Sequence, residues 1–376
     1  MATVLVAGGG TGGHVFPMMA VGEALREQAV GTGVAYVGTP RGLEAKLLAE
    51  RGERIELLDV LPLRGGGLRG ALRGGLRALT VLPEAGRLVR RIGPDVVFSV
   101  GGYAAGPVAL AAWREGVPLA LLEPNAVLGF TNRLLRPLAC RAYLGFPELA
   151  PAFAAGRARV LGIPLRPGFA PVPYVPTPGR ARLLVLGGSQ GALALNEALP
   201  RAIAIWAQGP AAAGVALQVV HQCGRDKDTA VRALYAELGL AAQAEVATFI
   251  DDVAGALARA DLVVARAGAS SLGELCAVGR AALLVPYPYA ADDHQKRNAE
   301  SLARDGAAVC VVQAEATPER LAAELGPLLA EPERREAMAR QAARRGRPEA
   351  ASAIAADLLG LAQQGAREAE QVEAVP

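Results

Sequence analysis

The chain has 376 residues, 52% hydrophobic and 20% charged, with a net charge of +3. That length exceeds one ordinary core and suggests two domains. The small charge excess argues against a nucleic-acid partner, and no apolar run nears the ~18 residues of a membrane span.

Strand-like sequence begins at residue 3, so no targeting segment is expected, and the protein reads as soluble or peripheral. The cysteines (Cys140, Cys223, Cys276, Cys310) lack CxxC spacing and sit in apolar stretches, as buried reduced thiols do. The three histidines lack metal-ligand spacing.

The apolar run Val4–Ala7 feeds the glycine loop Gly8-Gly9-Gly10-Thr11-Gly12-Gly13-His14-Val15-Phe16-Pro17, which should open a helix from Met18 to Arg26. Free N–H groups and the helix dipole make such a loop a diphosphate site, and His14 adds a group able to move a proton. Gly8-x-Gly10-x-x-Gly13 also fits the dinucleotide fingerprint. The second strand, however, ends Tyr36-Val37-Gly38-Thr39-Pro40, without the acid that holds an NAD ribose.

Further strands are expected at Val34–Val37, Val96–Val100, Leu119–Leu122 and Ala142–Leu144. Between them, Leu-Arg pairs recur at 63–64, 68–69, 72–73 and 76–77. From residue 68 the spacing sets Arg69, Arg73 and Arg77 beside a stripe of Leu68, Leu72 and Leu76, a basic amphipathic surface suited to anionic lipid. The plainer reading is a solvated face with core leucines. Glycines 65–67, 70, 74 and 75 cost about 1 kcal/mol each in a helix, so Leu63–Leu82 should be partly mobile until it meets lipid. Residues 1–165 carry 18 Lys+Arg against 12 Asp+Glu, and the remainder 21 against 24, so the basic half comes first.

Six prolines between Pro164 and Pro178 mark an extended connector, after which the pattern restarts. Arg182–Leu186 is a strand, Gly187-Gly188-Ser189-Gln190-Gly191 a second glycine loop, and Ala192 begins a helix. Strands follow at Leu217–His221, Ala247–Phe249, Leu262–Ala265, Ala282–Val285 and Ala308–Val312. His221 reads as a satisfied core histidine. Two strand–loop–helix openings imply an α/β protein of two Rossmann-like domains facing a cleft, with ligands at the carboxyl ends of the strands. The helical stretch Pro348–Ala362 should cross back to the first domain. The domains read as 1–165 with 347–364, and 166–346, with 365–376 a disordered tail.

Gly8–Pro17, Ser99–Pro107 and Gly187–Ala192 match, in order, three glycine loops of one family. With Glu123-Pro124-Asn125, Gly162–Arg166, Phe249–Asp252, Arg266–Glu274 and Asp293-His294-Gln295, the chain resembles the MurG family of GT-B glycosyltransferases from about residue 3 to 360. The resemblance implies inverting transfer of GlcNAc from UDP-GlcNAc to the C4 hydroxyl of MurNAc in undecaprenyl-pyrophosphoryl-MurNAc-pentapeptide, the step from lipid I to lipid II. It implies a peripheral protein on the cytoplasmic, inner face of the membrane, with no nucleic acid, cofactor or metal.

By the same resemblance, Ser189 and Ala269, Ser270, Ser271 and Leu272 bind the donor diphosphate, Glu274 the ribose hydroxyls and the Ile250 backbone the uracil. Gln295 and His294 contact the sugar, with Asn125, Arg166, Thr11, Gly12 and Gly13 also on the donor. Gln295 has an amide able both to donate and to accept. Gly10, Thr11, His14, Gly102 and Tyr103 line the acceptor side. His14 is either the base that takes the C4 proton or a donor to the acceptor pyrophosphate, and Glu123 is the other candidate base. Pro124, Ile163 and Ala267 stand where the family commonly has Gln, Asn and Ser, which should weaken hydrogen bonding near the cleft. Other readings are a different lipid or UDP-sugar transferase, a UDP-GlcNAc 2-epimerase on the same fold, and a nucleotide-binding regulatory protein without turnover.

Overall fold

The computed structural model describes the backbone of residues 2–10, 12–60, 67–188 and 190–373, and their side chains except at 67–79 and 366–373. The chain divides into two compact units, Met1–Pro167 with Glu349–Pro376, and Gly168–Pro348.

The strands of the first unit are β1 (Thr3–Ala7), β2 (Gly33–Gly38), β3 (Ile55–Leu57), β4 (Val96–Ser99), β5 (Leu119–Glu123), β6 (Arg141–Leu144) and β7 (Ala158–Val160). They form one parallel sheet in the order β3-β2-β1-β4-β5-β6-β7. Its helices are α1 (Gly12–Gln28), α2 (Leu43–Glu50), α3 (Gly67–Ile92), α4 (Ala105–Arg114), α5 (Phe130–Leu135) and a C-terminal helix (Ala350–Glu373).

Both faces of this sheet are covered, which is why its central strands are continuous apolar runs. Val4 and Val6 of β1 pack with α1 and with Ile354, Ala355 and Leu358 of the C-terminal helix. Leu5 and Ala7 face the other way, against Val81, Ala85 and Val89 of α3 and Val108 and Ala112 of α4. Asp357 accepts a hydrogen bond from Tyr143 Oη at 2.8 Å and pairs with Arg141 (2.8 Å) and Arg159 (3.1 Å), fixing the C-terminal helix to β6 and β7.

The second unit repeats the plan. Its strands are β8 (Arg180–Leu186), β9 (Ala216–Gln222), β10 (Ala244–Ala247), β11 (Leu262–Ala265), β12 (Ala282–Leu284) and β13 (Ala308–Cys310). They are parallel in the order β10-β9-β8-β11-β12-β13. Its helices are α6 (Leu193–Ala207), α7 (Asp228–Glu237), α8 (Val253–Arg259), α9 (Ala269–Val278), α10 (His294–Arg304), α11 (Pro318–Ala330) and α12 (Pro332–Arg345). In each sheet the winding reverses beside the first strand, between β1 and β4 and between β8 and β11. Ligands of such sheets bind at that reversal.

The structure departs from the sequence reading at several places. The first helix begins at Gly12, not Met18: Pro17 lies inside it and removes only one ladder bond, while Gly12, Gly13 and His14 form its first turn. The short edge strands β3 and β7 carry Glu56 and Arg159 and no apolar run, so pattern reading missed them. The strand expected at Ala247–Phe249 ends at Ala247, and Phe249 is exposed. The C-terminal helix runs to Glu373, through most of the stretch expected as a disordered tail, because Ala, Glu, Gln and Arg there are good helix formers.

The backbone of the glycine-rich stretch is helical from Gly67, in one helix with Val81, Ala85, Leu88 and Val89, which pack in the core. The side chains of Leu68–Leu79, and residues 61–66 altogether, lie outside the described residues. Pro164–Pro178 holds no helix or strand. Its middle is strapped to the second unit by Arg280, which donates to the Val172 carbonyl (2.8 Å), and by Arg335, which donates to Tyr174 Oη (2.9 Å).

Candidate active site

In the first unit two glycine loops meet at the winding reversal. Gly9 (φ +133°) and Gly10 (φ +98°) follow β1, while Gly101 and Gly102, both at φ +88°, follow β4. A Cβ on Gly102 would sit 2.5 Å from the Gly9 carbonyl oxygen, and one on Gly8 would sit 2.0 Å from Val100 Cγ2. Glycine is therefore required by contact as well as by backbone angle. His14, on the first turn of α1, reaches the same place: its Nε2 lies 3.4 Å from where a Gly101 Cβ would be.

Beneath the loops lies Glu44, a fully buried carboxylate. Its Oε2 accepts from the Gly10 N–H (2.8 Å), and its Oε1 accepts from the Thr39 N–H (2.8 Å) and hydroxyl (3.1 Å). Sequence reasoning missed Glu44. The available signal was its place after Gly38 and Gly42, whose Cβ atoms would collide with it.

Glu123 ends β5 and is 3% exposed. Oε1 accepts from the Asn125 N–H (3.1 Å) and amide (3.2 Å), and Oε2 from the Gly129 N–H (2.8 Å) and Asn132 Nδ2 (3.0 Å). Burial pushes its carboxyl above the ordinary glutamate range, and these four donors oppose that. With both oxygens engaged, Glu123 anchors the loop carrying Asn125. Asn132 also donates to the Leu122 carbonyl (2.8 Å), and its Nδ2 lies 3.9 Å from the Gly101 Cβ position, which links Glu123 to the His14 loop. Nothing in the sequence singled out Asn132. Arg166 stacks on the Phe16 ring (5.2 Å), beside Gly12. Thr11 lies outside the described residues.

In the second unit, Gly191 (φ +71°) and Gly224 (φ +90°) press together, so the loop after β8 is packed against the loop after β9. Ser189 lies outside the described residues. The next loop, after β11, opens α9 with Gly268 as N-cap and no side-chain cap. The first N–H groups of that helix, at Ala269, Ser270 and Ser271, thus carry its positive dipole end. Ser270 Oγ, buried in the same turn, has no hydrogen-bond partner among the described residues. Glu274 is half-buried one turn further in.

Gln295 Oε1 accepts from the backbone N–H of Ala267 (3.2 Å) and of Tyr287 (3.0 Å). Its acceptor is consumed by the fold, so the expected dual amide is a donor only. His294 Nδ1 faces the Ala291 carbonyl (2.8 Å), which fixes the proton on that nitrogen. Arg266 bridges three loops, donating to the Val285 carbonyl (3.0 Å), the Pro286 carbonyl (3.2 Å) and Gln313 Oε1 (2.6 Å). Ile250 follows β10, half-buried, and none of these bonds reaches it. Among the described residues no group of three or more His, Cys, Asp or Glu side chains is set to hold a metal.

The three departures from the family pattern sit at packed positions: Ala267 is fully buried, Ile163 is 6% exposed and Pro124 is buried. They bear on packing more than on exposed hydrogen bonds.

Residues 4–144 match the glycosyltransferase family 28 N-terminal domain, and residues 182–354 match the family 28 C-terminal domain. A relative from Sorangium cellulosum, named as the UDP-N-acetylglucosamine–N-acetylmuramyl-(pentapeptide) pyrophosphoryl-undecaprenol N-acetylglucosamine transferase, is 60% identical over 365 residues, covering 96% of this chain and 89% of the relative. An Anaeromyxobacter protein of the same name is 46% identical, covering 94% and 91%. Among solved structures, MurG of Acinetobacter baumannii superposes with a TM-score of 0.79 at 35% identity, over 96% of this chain and all of that one.

Proposed function

The chain belongs to the MurG family of glycosyltransferase family 28, and on that premise we propose that it converts lipid I to lipid II. It transfers GlcNAc from UDP-GlcNAc to undecaprenyl-pyrophosphoryl-MurNAc-pentapeptide. The observation that carries this reading is the 60% identity, across both units, to a relative of that named activity.

The C4 hydroxyl of MurNAc attacks the anomeric carbon from the face opposite UDP. The C1–O bond to the diphosphate breaks with its electron pair on UDP, and the anomeric centre inverts. His14, at the meeting point of the two first-unit loops, takes the hydroxyl proton. Glu123, engaged by four donors, positions Asn125. The leaving diphosphate lies at the start of α9, where unpaired N–H groups and the Ser270 hydroxyl offset its charge. Glu274 holds the ribose, Ile250 the uracil, and Gln295 donates to the sugar. The acceptor pyrophosphate lies on the loops at Gly10–Gly13 and Gly101–Tyr103. Among the described residues no helix is long and apolar enough to cross a membrane, so contact with the lipid-borne acceptor falls to a surface, for which α3 is the candidate.

The test is transfer of labelled GlcNAc to a lipid I analogue beside an acceptor-free control. Acceptor-dependent disaccharide is the expected result. Donor turnover without acceptor supports an epimerase or hydrolase instead, and binding without turnover supports a regulatory protein.

A further inference from the structure

The first unit holds an apolar cavity beside the second acceptor loop. It has a volume of about 230 Å³ and is walled by Tyr103, Pro107, Leu110, Phe130, Leu134 and Leu138, among others, with no charged side chain in its lining. Phe130 and Leu134 are 44% and 60% exposed, unusual for large apolar residues grouped at one cavity. The cavity begins where the second acceptor loop ends. Tyr103 directly follows Gly102, and Thr131, also in the wall, donates its hydroxyl to the Gly102 carbonyl at 3.2 Å.

We propose that this cavity binds the first isoprene units of the acceptor's own polyprenyl chain. The inference rests on the reading of Gly101–Tyr103 as part of the pyrophosphate site. In the acceptor that reading implies, the hydrocarbon is esterified directly to the pyrophosphate, so its first carbons must leave the glycine loop within reach of one side chain. From Gly102 the apolar way out is past Tyr103 into this cavity. A branched, uncharged chain matches a wall of leucine, proline and aromatic rings, whereas a sugar, peptide or phosphate would leave polar groups unpaired there. The subsite ties the lipid to catalysis: it aligns the pyrophosphate, and through it the MurNAc hydroxyl, before the donor sugar is attacked.

The experiment compares two acceptors in detergent-free solution, MurNAc-pentapeptide pyrophosphate esterified with methyl or with farnesyl. Wild-type protein should show an acceptor KM roughly tenfold or more lower for the farnesyl ester, since each buried methylene adds to binding. Leu134→Asp, at an exposed position tolerant of charge, should abolish that difference while leaving the methyl ester's kinetics and the UDP-GlcNAc KM unchanged. Leu134→Met should retain the difference. Equal KM values for the two esters in wild type overturn the proposal and leave the transferase standing. So does a chain-length effect that Leu134→Asp leaves intact, even if that variant no longer sediments with vesicles, because the face then meets bulk lipid only. Failure to transfer to either ester removes the transferase reading and the subsite with it.

Discussion

Glu44 and Gly10 are joined by a 2.8 Å hydrogen bond in which the backbone N–H donates to a carboxylate with no solvent exposure. That carboxylate also accepts from Thr39, so one side chain holds the glycine loop after β1 to the turn after β2. Glu44→Gln cannot accept at both ends, because one oxygen becomes an NH2 facing a donor. The expected outcome is a folded protein whose acceptor KM rises about tenfold while its UDP-GlcNAc KM holds. Glu44→Ala leaves buried donors without acceptors, each costing about 1–3 kcal/mol, and should lower the midpoint of urea unfolding. Steady-state kinetics in both substrates separate the two effects.

His14→Ala discriminates between its two roles. A base contributes about 10²–10⁴ in rate, so kcat should fall by that much with acceptor KM unchanged. Had the ring served the acceptor pyrophosphate instead, KM for the acceptor would rise and kcat would fall little. Gly101→Ala should resemble His14→Ala in kind, since the added Cβ lies 3.4 Å from Nε2 and the backbone is at φ +88°.

Gln295→Glu keeps an oxygen for the N–H groups of Ala267 and Tyr287 but replaces the amide donors with a second, negative oxygen. The loops should hold, and UDP-GlcNAc KM should rise by roughly tenfold to a hundredfold, from the lost donor bond and repulsion of the diphosphate. Thermal unfolding within a few degrees of wild type, together with that KM change, is the expected pair of results.

The sheets were legible because parallel strands covered on both faces are written as uninterrupted apolar runs, as at Val96–Phe98 and Leu119–Leu122. The edge strands β3 and β7 carry no such run and were not legible. The glycine loops could be read because backbone contact forces the residue type, as Gly102 against Gly9 demonstrates. Glu44, Asn132 and the spent acceptor of Gln295 were hidden for a different reason. Each acts on the backbone of a segment distant in sequence, and no spacing rule encodes such a partner. The Glu123 motif was found, but its four donors appear only once residues 125, 129 and 132 fold around it.

His221 supplies a pH prediction for the second unit. It is fully buried between Tyr235 Oη and Asn196 Oδ1, each at 3.1 Å. Asn196 donates its amide to the Cys223 carbonyl (2.9 Å), so Oδ1 faces His221 Nε2, which must carry the proton. In the neutral imidazole Nδ1 then accepts from the tyrosine hydroxyl. Burial drives its pKa down from 6.5 to about 4. The unfolded chain therefore binds the extra proton between those values, and stability falls as pH drops through that window. Between pH 7 and 5 this one group should cost about 2 kcal/mol, seen as a lower urea midpoint. In His221→Gln that part of the pH dependence should vanish, and an unchanged slope would assign the loss to other groups.

The surface role proposed for α3 rests on its two halves. Its C-terminal half is held in the core by Val81, Ala85, Leu88 and Val89, and the Leu-Arg repeats from residue 68 precede that anchored half in the same helix. In the sequence Arg69, Arg73 and Arg77 recur at four-residue spacing, as do Leu68, Leu72 and Leu76. Such a helix should adsorb to anionic lipid through charge first and apolar burial second. Vesicles containing anionic phospholipid should therefore sediment the protein at low salt, and release much of it as added salt shortens the screening length from ~10 Å towards ~3 Å. Replacing the three arginines with glutamine should abolish sedimentation while transfer to a soluble, short-chain acceptor is retained. Equal sedimentation of that variant would remove α3 as the adsorbing surface, because the screened attraction would then have to originate elsewhere on the chain.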